Sequence, residues 1–171
     1  MRTSPDTILA LDPGLRELGY AVLRGPRLVT SGVLGLRRTP KVNRLPTARR
    51  HLRSWLQTHR PDVVVVEKTY RHPVPWLDQL HQLSRSAHNL ATRQHASFRM
   101  YAPQAVRATV AGNGRAKKPE VALAVASHFP SLRVYLTQDR RWKETFWLNM
   151  FDAIALALHH QDATSQPSRG R

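Results

Sequence analysis

The sequence predicts a mixed α/β domain, a sheet flanked by helices, and three observations predict it. TILAL (7–11) and the VVVV run (63–66) are continuously apolar, as strands buried on both faces are. RGPR (24–27) is turn chemistry between two strand-like stretches, which makes them an antiparallel hairpin. Stretches with helical periodicity follow and separate the remaining strands, the pattern of a sheet with helices on its faces.

In order, TILAL (7–11) is the first strand, and LGYAVLR (18–24) and LVTSGVLGL (28–36) form the hairpin. RTPKVNRLP (38–46) reads as a loop. From Pro46 to about Gln57, Ala48, Leu52, Trp55 and Leu56 share one helical face. PDVVVVEKTY (61–70) holds a parallel strand that ends on an acid. A long helix over about 76–94 carries the stripe Trp76, Leu80, Leu83, Ala87 and Leu90 in steps of four and three. SFRMYAP (97–103) is the fifth strand, and PQAVRATVAG (103–112) is a short helix stopped by glycine. NGRAKKPEVALAVASHF (113–129) is a basic loop feeding a helix, with Pro119 in its first turn. FWLNMFDAIALALHH (146–160) is the last helix, its paired histidines placed to favour the C-terminal dipole. LTQDRRWKETF (136–146) has no assignment. With no repeat and no linker, residues 1–160 read as one domain and 161–171 as a disordered tail.

Composition narrows the function. A hydrophobic share of 41% in 171 residues supports a packed core. No apolar run approaches the roughly 18 residues that span a bilayer. MRTSPDT lacks the apolar core of a signal peptide, so a cytoplasmic location is expected. The absence of cysteine excludes disulfides, thiolate metal sites and thiol nucleophiles. Lys and Arg number 27 against 11 Asp and Glu, a net charge of +16 spread along the chain. Such a domain repels itself unless a polyanion offsets the charge, which points to nucleic acid ahead of a membrane surface or a ribosomal role.

In so basic a chain, acids inside apolar segments stand out. Asp12 ends ILAL, Glu67 ends VVVV, and Asp152 lies within WLNMFDAIALAL. If the first and fourth strands are parallel neighbours, Asp12 and Glu67 emerge at the same carboxyl edge, where open α/β sheets place their sites. Three crowded carboxylates repel, and a hard cation such as Mg²⁺ relieves this with oxygen ligands. A pair of such ions suits phosphodiester hydrolysis. Structural readings also exist: DPG is good turn chemistry for Asp12, and an arginine partner accounts for a buried Asp152.

These segments resemble the RuvC-type Holliday-junction resolvases. ILALDPGLRELGYAV is similar to the first motif of that family, VVVVEKTY to the second, YAPQAVRATVAGNGRAKKPEV to the third and FDAIALALHH to the fourth, in order over about 7–160. The resemblance implies an RNase H-like five-stranded sheet, a homodimer, and Mg²⁺-dependent paired nicking of four-way DNA junctions, with branch-migration proteins as further partners; the departure at Asn149 adds Mn²⁺ as a substitute ion. It implies that Asp12, Glu67 and Asp152 hold metal and that Lys118 is the basic active-site residue. Tyr70 matches an aromatic that stacks on an unpaired base, and Arg107 matches a DNA contact. Arg16, Arg115 and Lys117 belong with the phosphate contacts. Within the resemblance, part of the 76–94 helix forms a two-fold interface, whereas its stripe alone reads as packing on the sheet. One residue departs from the pattern: Asn149 stands where the family has an acid or a histidine. Its amide oxygen can still ligate a metal, but more weakly than a charged ligand. Two other readings remain, a YqgF-type nuclease acting on ribosomal RNA and a junction-binding protein that has lost catalysis.

Overall fold

The computed structural model describes residues 6–14, 16–69, 75–137 and 141–165, without the side chains of 75–77 and 141–145. Tyr70 therefore lies outside the described residues. The expected sheet is present, with five strands: β1 (Thr7–Asp12), β2 (Glu17–Arg24), β3 (Arg27–Gly35), β4 (Val63–Glu67) and β5 (Ser97–Tyr101). Their spatial order is β3-β2-β1-β4-β5. The hairpin pairs antiparallel, turning at Gly25 with φ 52°, a conformation that favours glycine. β4 joins β1 and β5 in parallel.

Strand alternation divides the core into two layers. Ile8 and Ala10 of β1, Ala21 and Leu23 of β2, and Val63 and Val65 of β4 face one layer. Covering them are α3 (Pro103–Ala111), α4 (Lys118–His128), a 3₁₀ turn (Pro130–Tyr135) and α5 (Arg141–Ser165). Leu9, Leu11, Leu18, Val22, Val64 and Val66 face the other layer, under α1 (Lys41–His59) and α2 (Pro75–Arg93). With both faces covered, β1 and β4 can be apolar throughout.

Three boundaries differ from expectation. α1 begins at Lys41, so residues 41–46 are helical and Pro46 lies inside the helix. Pro46 has no N–H to give the Val42 carbonyl, but that turn is the solvent end of the helix, where water can replace it: Val42 is 81% exposed. Arg44 secures the start by donating to the Thr39 carbonyl at 3.1 Å. At the other end of the chain, α5 runs to Ser165, so residues 161–165 are helix and not tail. Gln161 donates to the Gly25 carbonyl and docks this last part on the hairpin turn. His159 and His160 consequently do not cap the helix. Their Nδ1 atoms pair instead with the Thr109 and Tyr101 hydroxyls, each at 2.7 Å. Of the unassigned 136–146 segment, residues 141–146 begin α5.

Three of the four described stripe residues on α2 pack on the protein's own core, and Leu80 is buried outside that cluster. Leu83 and Ala87 are buried against the sheet, with Leu90 beside them. Among the described residues, no helix is long and apolar enough to cross a membrane.

α5 lies very close to β2, and one residue permits this. A Cβ on Gly19 would fall 2.0 Å from the Asn149 carbonyl oxygen. Gly19→Ala is expected to push α5 outward and cost about 1–3 kcal/mol, lowering the melting temperature by roughly 2–12 °C. An unchanged thermal melt would contradict this account of the helix position.

Candidate active site

Register and alternation together bring the first two acids to one place. Leu11 lies opposite Val66 in the parallel ladder, so the next residues, Asp12 and Glu67, end their strands side by side. Asp12 keeps the parity of Ile8 and Ala10, and Glu67 that of Val63 and Val65, so both carboxylates fall on the α5 face of the sheet. α5 supplies Asp152, flanked by buried Met150, Phe151, Ala153 and Ile154. Asn149 stands one turn earlier on the same face.

Lys118 closes the group. It is the first residue of α4, and Pro119 fits the first turn as expected. The turn is held by the Glu120 carboxylate, which accepts from the Lys117 backbone N–H at 2.6 Å. From there the Lys118 ammonium donates to Asp152 and comes within 3.5 Å of Asn149 Oδ1. Asp152 is 11% exposed and Lys118 44%, so the ammonium covers the solvent side of the carboxylate. An arginine partner, the structural explanation for Asp152, is thus replaced by this lysine.

The electrostatics are those of crowded acids. Burial, then the charges of Asp152 and Glu67, raise the Asp12 pKa well above the ordinary carboxylate range, with Lys118 opposing. Glu67 is pushed up to about 7 by burial and Asp152, against the pull of Lys118 and Arg107. Burial disfavours the Lys118 ammonium, but Asp152, Asp12 and Glu67 outweigh it and raise its pKa. Among the described residues no three acids or histidines stand close enough together to hold an ion as they are placed. The acids are nevertheless close enough to perturb one another, and their donor set of hard oxygens suits a hard divalent cation.

The site opens into a cleft of about 700 Å³ lined by Asp12, Arg16, Glu17, Arg37, Lys41, Arg44, Lys118 and Asn149. Two acids, Asp12 and Glu17, share the lining with five cations. Arg107 is near enough to Glu67 to affect its titration. Arg115 and Lys117 are exposed on the loop before α4. His159 is two helical turns past Asp152, about 10 Å along α5, and its Nδ1 engages the Thr109 hydroxyl. Glu144 lies in α5, its side chain outside the described residues.

Sequence reasoning missed Glu17, Arg37, Lys41 and Arg44. Glu17 carried a usable signal, since it opens an apolar strand in an acid-poor chain, as Asp12 closes one. The three cations sit in the segment read as a loop or at its border, where nothing local indicates which way they face.

The family model described as "Crossover junction endodeoxyribonuclease RuvC" matches residues 8–160. The chain belongs to this family. A RuvC family member from Nocardioides sp. is 34% identical over 160 residues, covering 90% of this chain and 85% of that protein. One from Alkalilimnicola ehrlichii is 32% identical over 170 residues, covering 96% of each. Both bear the same description, so the chain is a member of a family of endodeoxyribonucleases. Thermus thermophilus RuvC superposes with a TM-score of 0.70 at 24% identity, over 92% of this chain and 95% of that one. The same protein in complex with a Holliday junction substrate gives 0.73, over 93% and 94%. These likenesses establish the RNase H-like fold that the motifs implied.

The raised Glu67 pKa has a consequence for stability. Between 4.5 and about 7 the folded protein holds a proton that the unfolded chain has lost, so stability falls as pH rises through that window. Glu67→Gln removes this penalty. In EDTA the variant is expected to melt above the unmodified protein at pH 8, with the gap closing toward pH 5. Equal melting temperatures at pH 8 would show that Glu67 is not under this stress.

Proposed function

We propose that the protein is a Holliday-junction resolvase, a structure-selective endonuclease that nicks four-way DNA junctions in pairs during recombination and repair. The observation that carries this reading is the meeting of Asp12, Glu67, Asp152 and Lys118, of which Asp12 and Lys118 line a basic cleft, in a member of the RuvC family. The family match favours DNA junctions over ribosomal RNA as substrate.

Asp12, Glu67 and Asp152, with the oxygen of Asn149, are the residues that would hold Mg²⁺, with Mn²⁺ as a substitute. When bound, the metal supplies an activated water and charge stabilisation for in-line hydrolysis, leaving 5′-phosphate and 3′-hydroxyl ends. With the pKa values of Asp12 and Glu67 raised, positive charge brought to the site favours release of their protons. Lys118 neutralises Asp152 and is placed to take a phosphate oxygen as negative charge develops there. Arg16 on the cleft wall, with Arg107, Arg115 and Lys117, contacts the phosphate backbone without reading sequence. Tyr70 follows Glu67 by three residues and stacks on an unpaired base at the crossover. A symmetric homodimer presents two sites to two strands of the junction. A cytoplasmic, nucleoid-associated location goes with this substrate.

The test is cleavage of mobile and fixed four-way junctions in Mg²⁺ and in Mn²⁺. The unmodified protein is expected to nick them in pairs, and Asp12→Asn to bind without nicking. Lys118→Ala should slow cleavage by about 10²–10³-fold. Binding with no nicking by the unmodified protein in either metal would favour a junction-binding role, as the neutral Asn149 allows. Normal cutting by Asp12→Asn would move the site elsewhere.

A further inference from the structure

Glu17 has no place in the mechanism above, yet it is 9% exposed at the mouth of the site. Its position follows from strand parity. Glu17 and Gly19 share the face of β2 that carries Ala21 and Leu23, and α5 packs on that face. Because Gly19 brings the α5 backbone close at Asn149, the Glu17 carboxylate and the Asn149 amide meet. Both carboxylate oxygens are engaged. Oε1 accepts from Arg37 Nε at 2.5 Å, and Oε2 accepts from Asn149 Nδ2 at 3.2 Å.

An asparagine amide has two nearly isosteric orientations with opposite chemistry. One turns a lone-pair oxygen to a cation and the other turns two N–H groups to it. At residue 149 this choice matters, because a neutral ligand has no second oxygen to offer. An ionised carboxylate only accepts hydrogen bonds, so beside Glu17 the amide must turn its NH₂ that way. Oδ1 then faces the cluster, where Lys118 Nζ lies 3.5 Å away. Arg37 pairs with Glu17, so this orientation is achieved without adding an unpaired charge beside the crowded acids. The result is a chain from the cleft wall to the acids: Arg37, Glu17, Asn149, Lys118, Asp152.

We infer that Glu17 is a positioning residue that locks the Asn149 amide with its oxygen toward the acids, so that this neutral side chain serves as a divalent-cation ligand. The inference rests on the proposed metal site but makes a claim of its own. Outer partners of metal ligands typically contribute about 10–100-fold in affinity by fixing ligand orientation.

The test is calorimetric titration of the intact protein with Mn²⁺, with no DNA present. Glu17→Met, which keeps side-chain bulk but removes the acceptor, is expected to weaken Mn²⁺ binding about tenfold or more. Glu17→Ala provides a second variant, and far-ultraviolet circular dichroism confirms folding of each. The decisive arm repeats both changes in an Asn149→Asp background. A carboxylate presents an oxygen in either orientation, so there the Glu17 changes should not weaken binding. Equal weakening in both backgrounds would mean that Glu17 acts by charge or by general support, which overturns the inference. Unchanged affinity in the Asn149 background also overturns it. An unmodified protein that binds no Mn²⁺ overturns the metal-site reading and this inference together. Binding by the unmodified protein with failure only of the background contrast removes the inference alone.

Discussion

Leu11 lies opposite Val66 in the ladder between β1 and β4, and a shift of one residue in either strand would turn its terminal acid to the α1–α2 face. The pairing is parallel, so both strands deliver their last residues to the same edge. It is also central, so both strands are covered on two faces and their register is held by buried side chains from Ile8 to Leu11 and Val63 to Val66. The site inherits its precision from that ladder. Asp12 and Glu67 need no loop to position them.

The same architecture makes the site electrostatically costly. Two strand ends and a nearly all-apolar helix carry acids into a poorly solvated corner, and burial is the largest cause of the raised Asp12 and Glu67 pKa values. Lys118 offsets part of this by covering Asp152. The remainder stays as an affinity for positive charge, which is the property that a metal-dependent nuclease requires. A local conflict with stable folding of this kind is the usual mark of a functional site. Net positive charge elsewhere serves the other half of the task. The cations that line the cleft give it a positive wall suited to a phosphate backbone.

Much of this was legible in the linear sequence. The strands, the hairpin and the short helix stopped at Gly112 follow from local periodicity and turn chemistry, which depend on neighbouring residues alone. The three acids stood out because their apolar context is also local. α1 and α5 were read too short: a proline at residue 46 argues for a loop by local rules, 141–145 had no assignment, and the polar stretch from 161 read as tail. Arg44 and Gln161 extend these helices through contacts to Thr39 and Gly25. For Gln161 the partner is 136 residues away in the chain, beyond any window of periodicity.

The amino-acid sequence by itself determined the fold class, the strand ends that carry Asp12 and Glu67, and the family, because side-chain alternation and motif order are properties of the chain in one dimension. Only the tertiary structure decided what surrounds Asn149. Glu17 and Asn149 are 132 residues apart, and Asn149 and Lys118 are 31 apart. They meet because Gly19 lets α5 approach β2 closely and because α4 begins at Lys118 within reach of α5. A hydrogen bond fixes which end of an amide faces a site, and its partner is chosen by packing between elements distant in the chain.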